Sequence, residues 1–374
     1  MSIYYLFNFI SNNVGPFEIA LVPHIIIVIK GFLKKAKNLS IKKKDIPLIL
    51  FLLITLVPLI ANSTSLYFDK IDFLLSYLKL SIYVLSFLIG VDILHKDIEK
   101  LKKIMRVSLI FISIFGIYQY IVHLTGVPLP YNFSNTMTSY GVFRITSIFS
   151  EPASFTYVVL QYFFLILNGV KFKKTEKLII YIAIVLTFSL TVYGLFLMSI
   201  LIINFIRNKN VVRLLSTILI ISIIIIGVYI LVPLIRHHIN NIVSFNPSSA
   251  TNRIFGGFLY SFSSPIEGVG LGNFKAYYQN SFSNYFRIYT INGEVNNIFS
   301  TIRLSSGLLG VLVFIFFLLN KYWEISRKFL LIFLFSFLAW GNFNSAGFFF
   351  ILMLLELDLR NRKRTFYKEK SDYE

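Results

Sequence analysis

Hydrophobic and polar positions alternate along this chain in long blocks rather than residue by residue. Apolar runs bounded by charge or by Gly, Pro or Asn fall at about 15–33, 46–61, 74–92, 105–125, 151–169, 177–189, 192–206, 211–234, 304–320, 329–341 and 345–357. A continuous apolar run of about 20 residues is long enough to cross a bilayer as a helix. The eleven runs predict an all-α polytopic membrane protein with about 11 transmembrane helices, a single integral membrane domain over residues 1–374. Several runs are shorter than a full crossing. The pairs 177–206 and 329–357 read either as one long helix each or as two short ones.

Between the runs, two polar segments stand out by length. Residues 126–150 form a loop that ends at Glu151-Pro152, where the next apolar run begins. Residues 235–303 form a much larger loop, with an amphipathic helix predicted between Arg253 and Gly268. A long loop in a compact protein is usually functional.

Charge decides the orientation. Lys and Arg cluster at 34–45 (six), 96–106 (five), 171–177 (four), 207–213 (three), 321–328 (three) and 360–370 (six). With Lys30 these runs hold 28 of the 36 cations, and all fall on one side only if both ambiguous pairs are hairpins. Under the positive-inside rule that side is the cytoplasm, so the N-terminus is expected outside and the C-terminus inside the cytoplasmic membrane. The net charge of +19 is then a topology signal rather than a nucleic-acid surface. The 56% hydrophobic content fits no soluble class. No basic stretch or small-residue cleavage site marks Met1 to Asn13, so no cleaved signal is expected. With no cysteine, disulfides, thiolate metal sites and thiol nucleophiles are excluded.

Eight cations remain for the outer side: Lys70, Lys79, Arg144, Arg236, Arg253, Lys275, Arg287 and Arg303. Most are arginine, which grips phosphate in a bidentate fork. Arg144 stands seven residues before Glu151. The helix dipole favours a carboxylate there, and Pro152 suits the first helical position. The pair is either a rim salt bridge that fixes the loop, or an anion holder beside a general base. Arg253 lies in the large loop. Arg287 and Arg303 are candidate headgroup anchors. Arg236, His237, Asn296 and Asn297 complete the candidate substrate-binding set with them. His237 and His238 are adjacent and point apart on a helix, so no metal site is expected. His24 and His123 lie near span ends and are expected at the interface. Gly268-x-Gly270-x-Gly272 has no strand before it and reads as a tight turn. No Asp-x-Asp supports a metal-bound nucleotide-sugar donor, and no cofactor is expected.

Several of these motifs together resemble a known family. Arg144-x-x-x-x-Phe149-x-Glu151-Pro152-x-x-Phe155 resembles the Arg…Phe-x-Glu-Pro signature of the O-antigen polymerase and O-antigen ligase-like superfamily. Arg253…Pro265-x-x-Gly268-x-Gly270-x-Gly272-Asn273-Phe274 is similar to its large-loop arginine and Gly-x-Gly turn. Asn296-Asn297…Gly307-Leu308-Leu309-Gly310 resembles its loop exit. The resemblance covers roughly residues 105–320 and implies a glycosyltransferase-C-like fold with one large outer-face loop. It implies undecaprenyl-diphosphate-linked oligosaccharide as both donor and acceptor, with a flippase and a chain-length regulator as partners. Arg144 and Arg253 would hold the diphosphate, and Glu151 would sit beside the reacting centre. Ligases of the family usually carry His where Asn296 stands. A neutral amide cannot act as a base, which favours a polymerase over a ligase. A flippase, the rival from another class, is expected to carry internal repeats and charges deep inside its spans.

Overall fold

The computed structural model describes residues 13–14, 17–18, 21–35, 42–127, 138–139, 142–149, 151–207, 216, 219, 227, 229–230, 232–244, 246, 251, 255–280, 295, 297–338 and 341–371. Helix dominates them. In order the helices are α1 (Leu21–Lys35), a 3-10 turn (Lys43–Asp45), α2 (Ile46–Ile54), α3 (Val57–Ala61), α4 (Lys70–Lys96) and α5 (Ile98–Thr125). A second 3-10 turn (Pro152–Phe155) leads into α6 (Thr156–Leu167), α7 (Lys174–Leu186) and α8 (Leu190–Arg207). The large loop carries α9 (Pro233–Val243), α10 (Gly257–Phe262) and α11 (Phe274–Asn280), followed by α12 (Ile298–Ser336) and α13 (Ala346–Ser371). Among the described residues, strand is confined to two hairpins of two-residue strands, Asn13–Val14 with Phe17–Glu18 and Thr138–Ser139 with Val142–Phe143.

Local chemistry sets the helix starts. Proline opens α2, α3, the Pro152–Phe155 turn and α9, where its missing N–H costs nothing. The Asp69 carboxylate caps α4, accepting from Ile71 N (2.8 Å) and Asp72 N (3.1 Å). Gly126 ends α5 in the left-handed conformation.

Among the described residues, four helical stretches are long and apolar enough to cross a membrane: Lys43–Ala61, Lys70–Lys96, Ile98–Thr125 and Ile298–Ser336. Leu21–Gly31, Pro152–Leu167 and Leu190–Ile206 are shorter apolar helices. The all-α membrane class therefore stands, while the described residues do not present eleven full crossings. Each ambiguous pair is two helices. Positive φ at Phe188 (43°) marks the break after α7, and residues 337–345 separate α12 from α13. Most of the expected span 211–234 lies outside the described residues.

Helix α13 is the centre of the bundle. Its sequence Phe348-Phe-Phe-Ile-Leu-Met-Leu-Leu355 is apolar on every side, and residues 346–359 are all buried. It runs parallel to α4. Asn344 Nδ2 donates to Ser76 O (3.0 Å) at one end, and Arg360 pairs with Asp92 at the other. The two ties share one sequence offset, 268, so they lie about 24 Å apart along both helices. Between them Tyr83 stacks on Phe349 (5.5 Å). His24 is in this core rather than at an interface. It is fully buried, lies edge-on to Tyr83, and its Nδ1 is 2.5 Å from Ser86 Oγ.

At the Arg360 end, charge is buried inside the bundle. Lys321 Nζ binds Glu356 Oε2 (2.9 Å) and Asp45. Arg360 binds Glu356 Oε1 (3.0 Å) and Asp92. The ammonium of Lys321 also lies over Phe87, Phe317 and Tyr322, 5.1–5.5 Å from the ring centroids. Beside this cluster Asp358 holds Arg362 (2.8 Å) and accepts from Asn168 Nδ2 (2.9 Å). Charge counting treats Lys321, Arg360 and Arg362 as topology markers. The structure gives them a second task, tying the first 3-10 turn, α4, α12 and α13 together.

A buried ion left without its partner is costly, typically about 3–5 kcal/mol. Lys321→Met should therefore lower unfolding stability in detergent by about that much, because Asp45 would lose its cation and Glu356 would keep only Arg360. Arg327→Met removes an exposed cation lying over Trp323 and should cost less than about 1 kcal/mol. Thermal unfolding of the two purified variants is the measurement.

Candidate functional site

The end of the bundle opposite the ionic cluster carries the candidate site. Here the segment before Glu151 is sunk into the protein. Ile145, Thr146 and Ser147 are almost fully buried. Ile145 N donates to Leu186 O (3.2 Å), and Arg144 Nε donates to Thr187 O (3.2 Å). The break between α7 and α8 thus supplies the carbonyls that hold Arg144. On the other side stands Gln119 of α5. Its Oε1 accepts from Thr146 N (3.2 Å) and Ser147 N (2.7 Å), and its Nε2 donates to Ser147 O (3.0 Å). Ser147 has φ 55° and donates from Oγ to Ile112 O (2.7 Å). Gly116 leaves the space that Ile145 and Phe155 fill, since a Cβ there would lie 2.7 Å from Ile145 Cδ1. Glu151 follows, extended and exposed, immediately before the Pro152–Phe155 turn.

The glycine turn of the large loop lies at the same end. Phe149 stacks on Tyr157 (6.2 Å), and Tyr157 packs against Gly347 at the start of α13. Asn344 is bonded to Ser76, and Gly272 approaches Asp72 and Ser76 of α4. Gly268, Gly270 and Gly272 have φ of 89°, 96° and 82°, the tight turn expected of them.

This turn is wedged into a break in α12. As a straight helix, α12's 39 residues would span about 58 Å. Instead Ile298 N donates to Phe337 O (2.9 Å), so the two ends meet and the helix folds on itself at Gly307 and Ser326. At Gly307 (φ 70°, ψ −173°) the ordinary bond from Leu308 N to Leu304 O is absent. Leu308 N donates to Ile266 O (3.0 Å), and Leu304 O accepts from Val269 N (2.6 Å) and Gly270 N (3.0 Å). Around it, Asn62 Nδ2 donates to Gly268 O (2.9 Å), and Tyr67 OH donates to Asn62 Oδ1 (2.7 Å). Asn273 Oδ1 accepts from Asp69 N (2.7 Å).

The other candidates divide into three groups. Arg303 is buried, not an exposed headgroup anchor. Its guanidinium donates to Pro265 O (2.7 Å) and Ser264 O (3.2 Å), bracing the glycine turn. Asn297 caps α12 by accepting from Ser300 N (2.8 Å). Arg236 and His237 lie on α9. Arg236 binds the carbonyls of Tyr229 (3.2 Å) and Ile230, and His237 Nε2 lies 2.8 Å from Asn241 Nδ2. These contacts stay within the large loop and its approach, and do not bring either residue to Arg144. Arg253, Arg287 and Asn296 lie outside the described residues. Among the described residues no group of acidic or histidine side chains could hold a metal ion.

Three tyrosines pack under the turn. Tyr67 meets Tyr277 edge-on (4.9 Å), and Tyr277 stacks on Tyr260 (6.0 Å). Burial pushes all three hydroxyls up in pKa, with further upward pushes from Glu267 on Tyr67 and from Tyr67 on Tyr277. They remain hydrogen-bond donors across the physiological range. Gln119 was not legible as a site residue, because its partners are peptide groups 27 and 28 positions away. No protein-family model and no curated protein matches this chain.

Gly307 combines a conformation nearly restricted to glycine with a tight approach to Ile266 O and Glu267. Gly307→Ala should destabilise the protein by roughly 3 kcal/mol or more, from strain plus overpacking. Gly126 also has positive φ but faces open space, so Gly126→Ala should cost only about 1 kcal/mol. Thermal unfolding in detergent compares the two, and equal losses would contradict the wedge.

Proposed function

We propose that this protein is a metal-independent glycosyltransferase that polymerises undecaprenyl-diphosphate-linked oligosaccharide units into O-antigen, capsular or exopolysaccharide. It would act at the outer face of the cytoplasmic membrane, with the eleven crossings and cytoplasmic C-terminus that the charge pattern implies and the glycosyltransferase-C-like fold that the family resemblance implies. One observation carries the reading. Residues 144–147, just before Glu151-Pro152, are hydrogen-bonded into the bundle at the same end as the glycine turn of the loop that bears Arg253.

The chemistry follows from these residue types. A hydroxyl at the non-reducing end of one lipid-linked unit attacks the anomeric carbon of the growing glycan. The bond from that carbon to the diphosphate oxygen breaks, and the electron pair leaves with the lipid diphosphate. Glu151 takes the hydroxyl proton. Arg144 and Arg253 neutralise the charge that develops on the diphosphate, at a membrane rim where such contacts are stronger than in water. Removing one such donor typically costs about 10²–10³ in rate.

A transporter of lipid-linked oligosaccharide is the second reading, and the buried charges Asp45, Lys321 and Glu356, with the half-buried Arg360 and Asp92, favour it. They are mutually paired and tie helices together, which weighs on the side of a static role. Transfer to a different acceptor, as in a ligase, is the alternative within the enzyme class, and Asn296 disfavours it.

Arg144→Ala, Arg253→Ala and Glu151→Ala should each abolish long glycan in cells while the protein stays at its normal level in the membrane. Gel analysis of the polysaccharide reads chain length. Normal length in all three would remove this site from consideration.

A further inference from the structure

We infer that Gln119 is a positioning residue for the Arg144–Glu151 segment, an inference that rests on the glycosyltransferase reading for its catalytic consequence. The observation is geometric. One fully buried side-chain amide satisfies three backbone groups of two consecutive residues, Thr146 N, Ser147 N and Ser147 O. Those two residues lie between the two candidate catalytic groups, two positions after Arg144 and four before Glu151.

The turn would not hold its shape unaided. Ser147 sits at φ 55°, a conformation that costs a non-glycine residue on the order of 1 kcal/mol or more and persists only where its surroundings impose it. Gln119 imposes it from α5, and the Ser147 hydroxyl adds a second tie to Ile112 O. With the turn fixed, the chain before it places Arg144 against Thr187 O, and the chain after it delivers Glu151 to the start of the Pro152–Phe155 turn. The relative placement of guanidinium and carboxylate is thus set by an amide that touches neither. Both polar ends of the side chain are needed, because its oxygen accepts from two N–H groups while its nitrogen donates to a carbonyl. That requirement makes the position sensitive to protonation once a carboxyl is substituted for the amide.

Gln119→Ala should lower turnover on lipid-linked repeat units by about 10²-fold, the effect expected of a displacement near 1 Å, with KM little changed. Amide exchange at Thr146 and Ser147 should rise in the same protein. Gln119→Glu supplies the sharper readout. Its protonated carboxyl can donate to Ser147 O and accept from both N–H groups, whereas its carboxylate faces that carbonyl with no proton. Turnover of Gln119→Glu should therefore recover as pH falls, in a step that the wild-type profile lacks. Ser199→Ala, which removes a buried hydroxyl within α8, should leave turnover unchanged.

Wild-type turnover in Gln119→Ala would overturn the positioning role and leave the glycosyltransferase reading intact. So would a Gln119→Glu pH profile parallel to wild type. Wild-type protein that extends no glycan would instead overturn the glycosyltransferase reading and the catalytic role of Gln119 with it. Faster exchange at Thr146 and Ser147 in Gln119→Ala would then still identify the anchor of the turn.

Discussion

A single exchanged helix hydrogen bond organises the glycine-turn end of this protein. Leu304 O and Leu308 N would bond to each other in an unbroken α12, and instead each bonds to the glycine turn at 266–270. A broken helix leaves unsatisfied backbone groups, which are intolerable in an apolar setting unless something re-satisfies them. The turn does so with its own backbone, and only glycine at 268 and 307 lets the two chains approach closely enough, while Gly270 makes room for Phe68, Phe73 and Pro58. Everything near it is arranged to keep the turn in place. Arg303 braces it from α12, Asn62 from the end of α3, and Asn273 connects it to the cap of α4. The large polar loop is therefore built into the bundle at its root.

The opposite end is held by charge. Lys321 and Arg360 gather three carboxylates from three elements, and the tie is continuous with the α4–α13 pair. Such a cluster contributes little net stability compared with apolar packing, yet it penalises any displacement that separates its members. One end of the bundle is thus cross-linked by ion pairs, and the other by peptide hydrogen bonds around a break. The candidate site lies at the second end. Polar backbone is collected there, and a loop can enter the bundle without exposing unpaired groups. That is the setting in which a fixed guanidinium and a carboxylate would have most effect on the diphosphate leaving group proposed for it.

Helix beginnings were readable from sequence because their causes are local. Glu151-Pro152 was recognisable as a loop tipping into a helix, whereas Pro58, inside a run expected to be one span, instead opens the separate α3. The glycine turn was also readable, since three alternating glycines have few other uses. Long-range pairings were not. Gln119 looks like one polar residue in an apolar run, and its partners lie 27 and 28 positions away. Lys321 and Asp45 are separated by 276 positions, so charge counting could see only a topology marker. Arg303 is instructive. It was expected to bind substrate or a lipid headgroup, and it holds two backbone carbonyls. An apolar run also reports length and not path, which is why the folding of α12 at Gly307 and Ser326 was not legible.

The central claim is that the Arg144–Glu151 end of the bundle joins glycan units without needing a membrane to move them across. The direct measurement is chain growth by purified protein in detergent, given only lipid-diphosphate-linked repeat units. Products of two or more joined units, with release of free lipid diphosphate, are the predicted result. Unjoined repeat units in detergent, together with movement of the same lipid between leaflets when the protein is placed in vesicles, would contradict the account and make the protein a transporter.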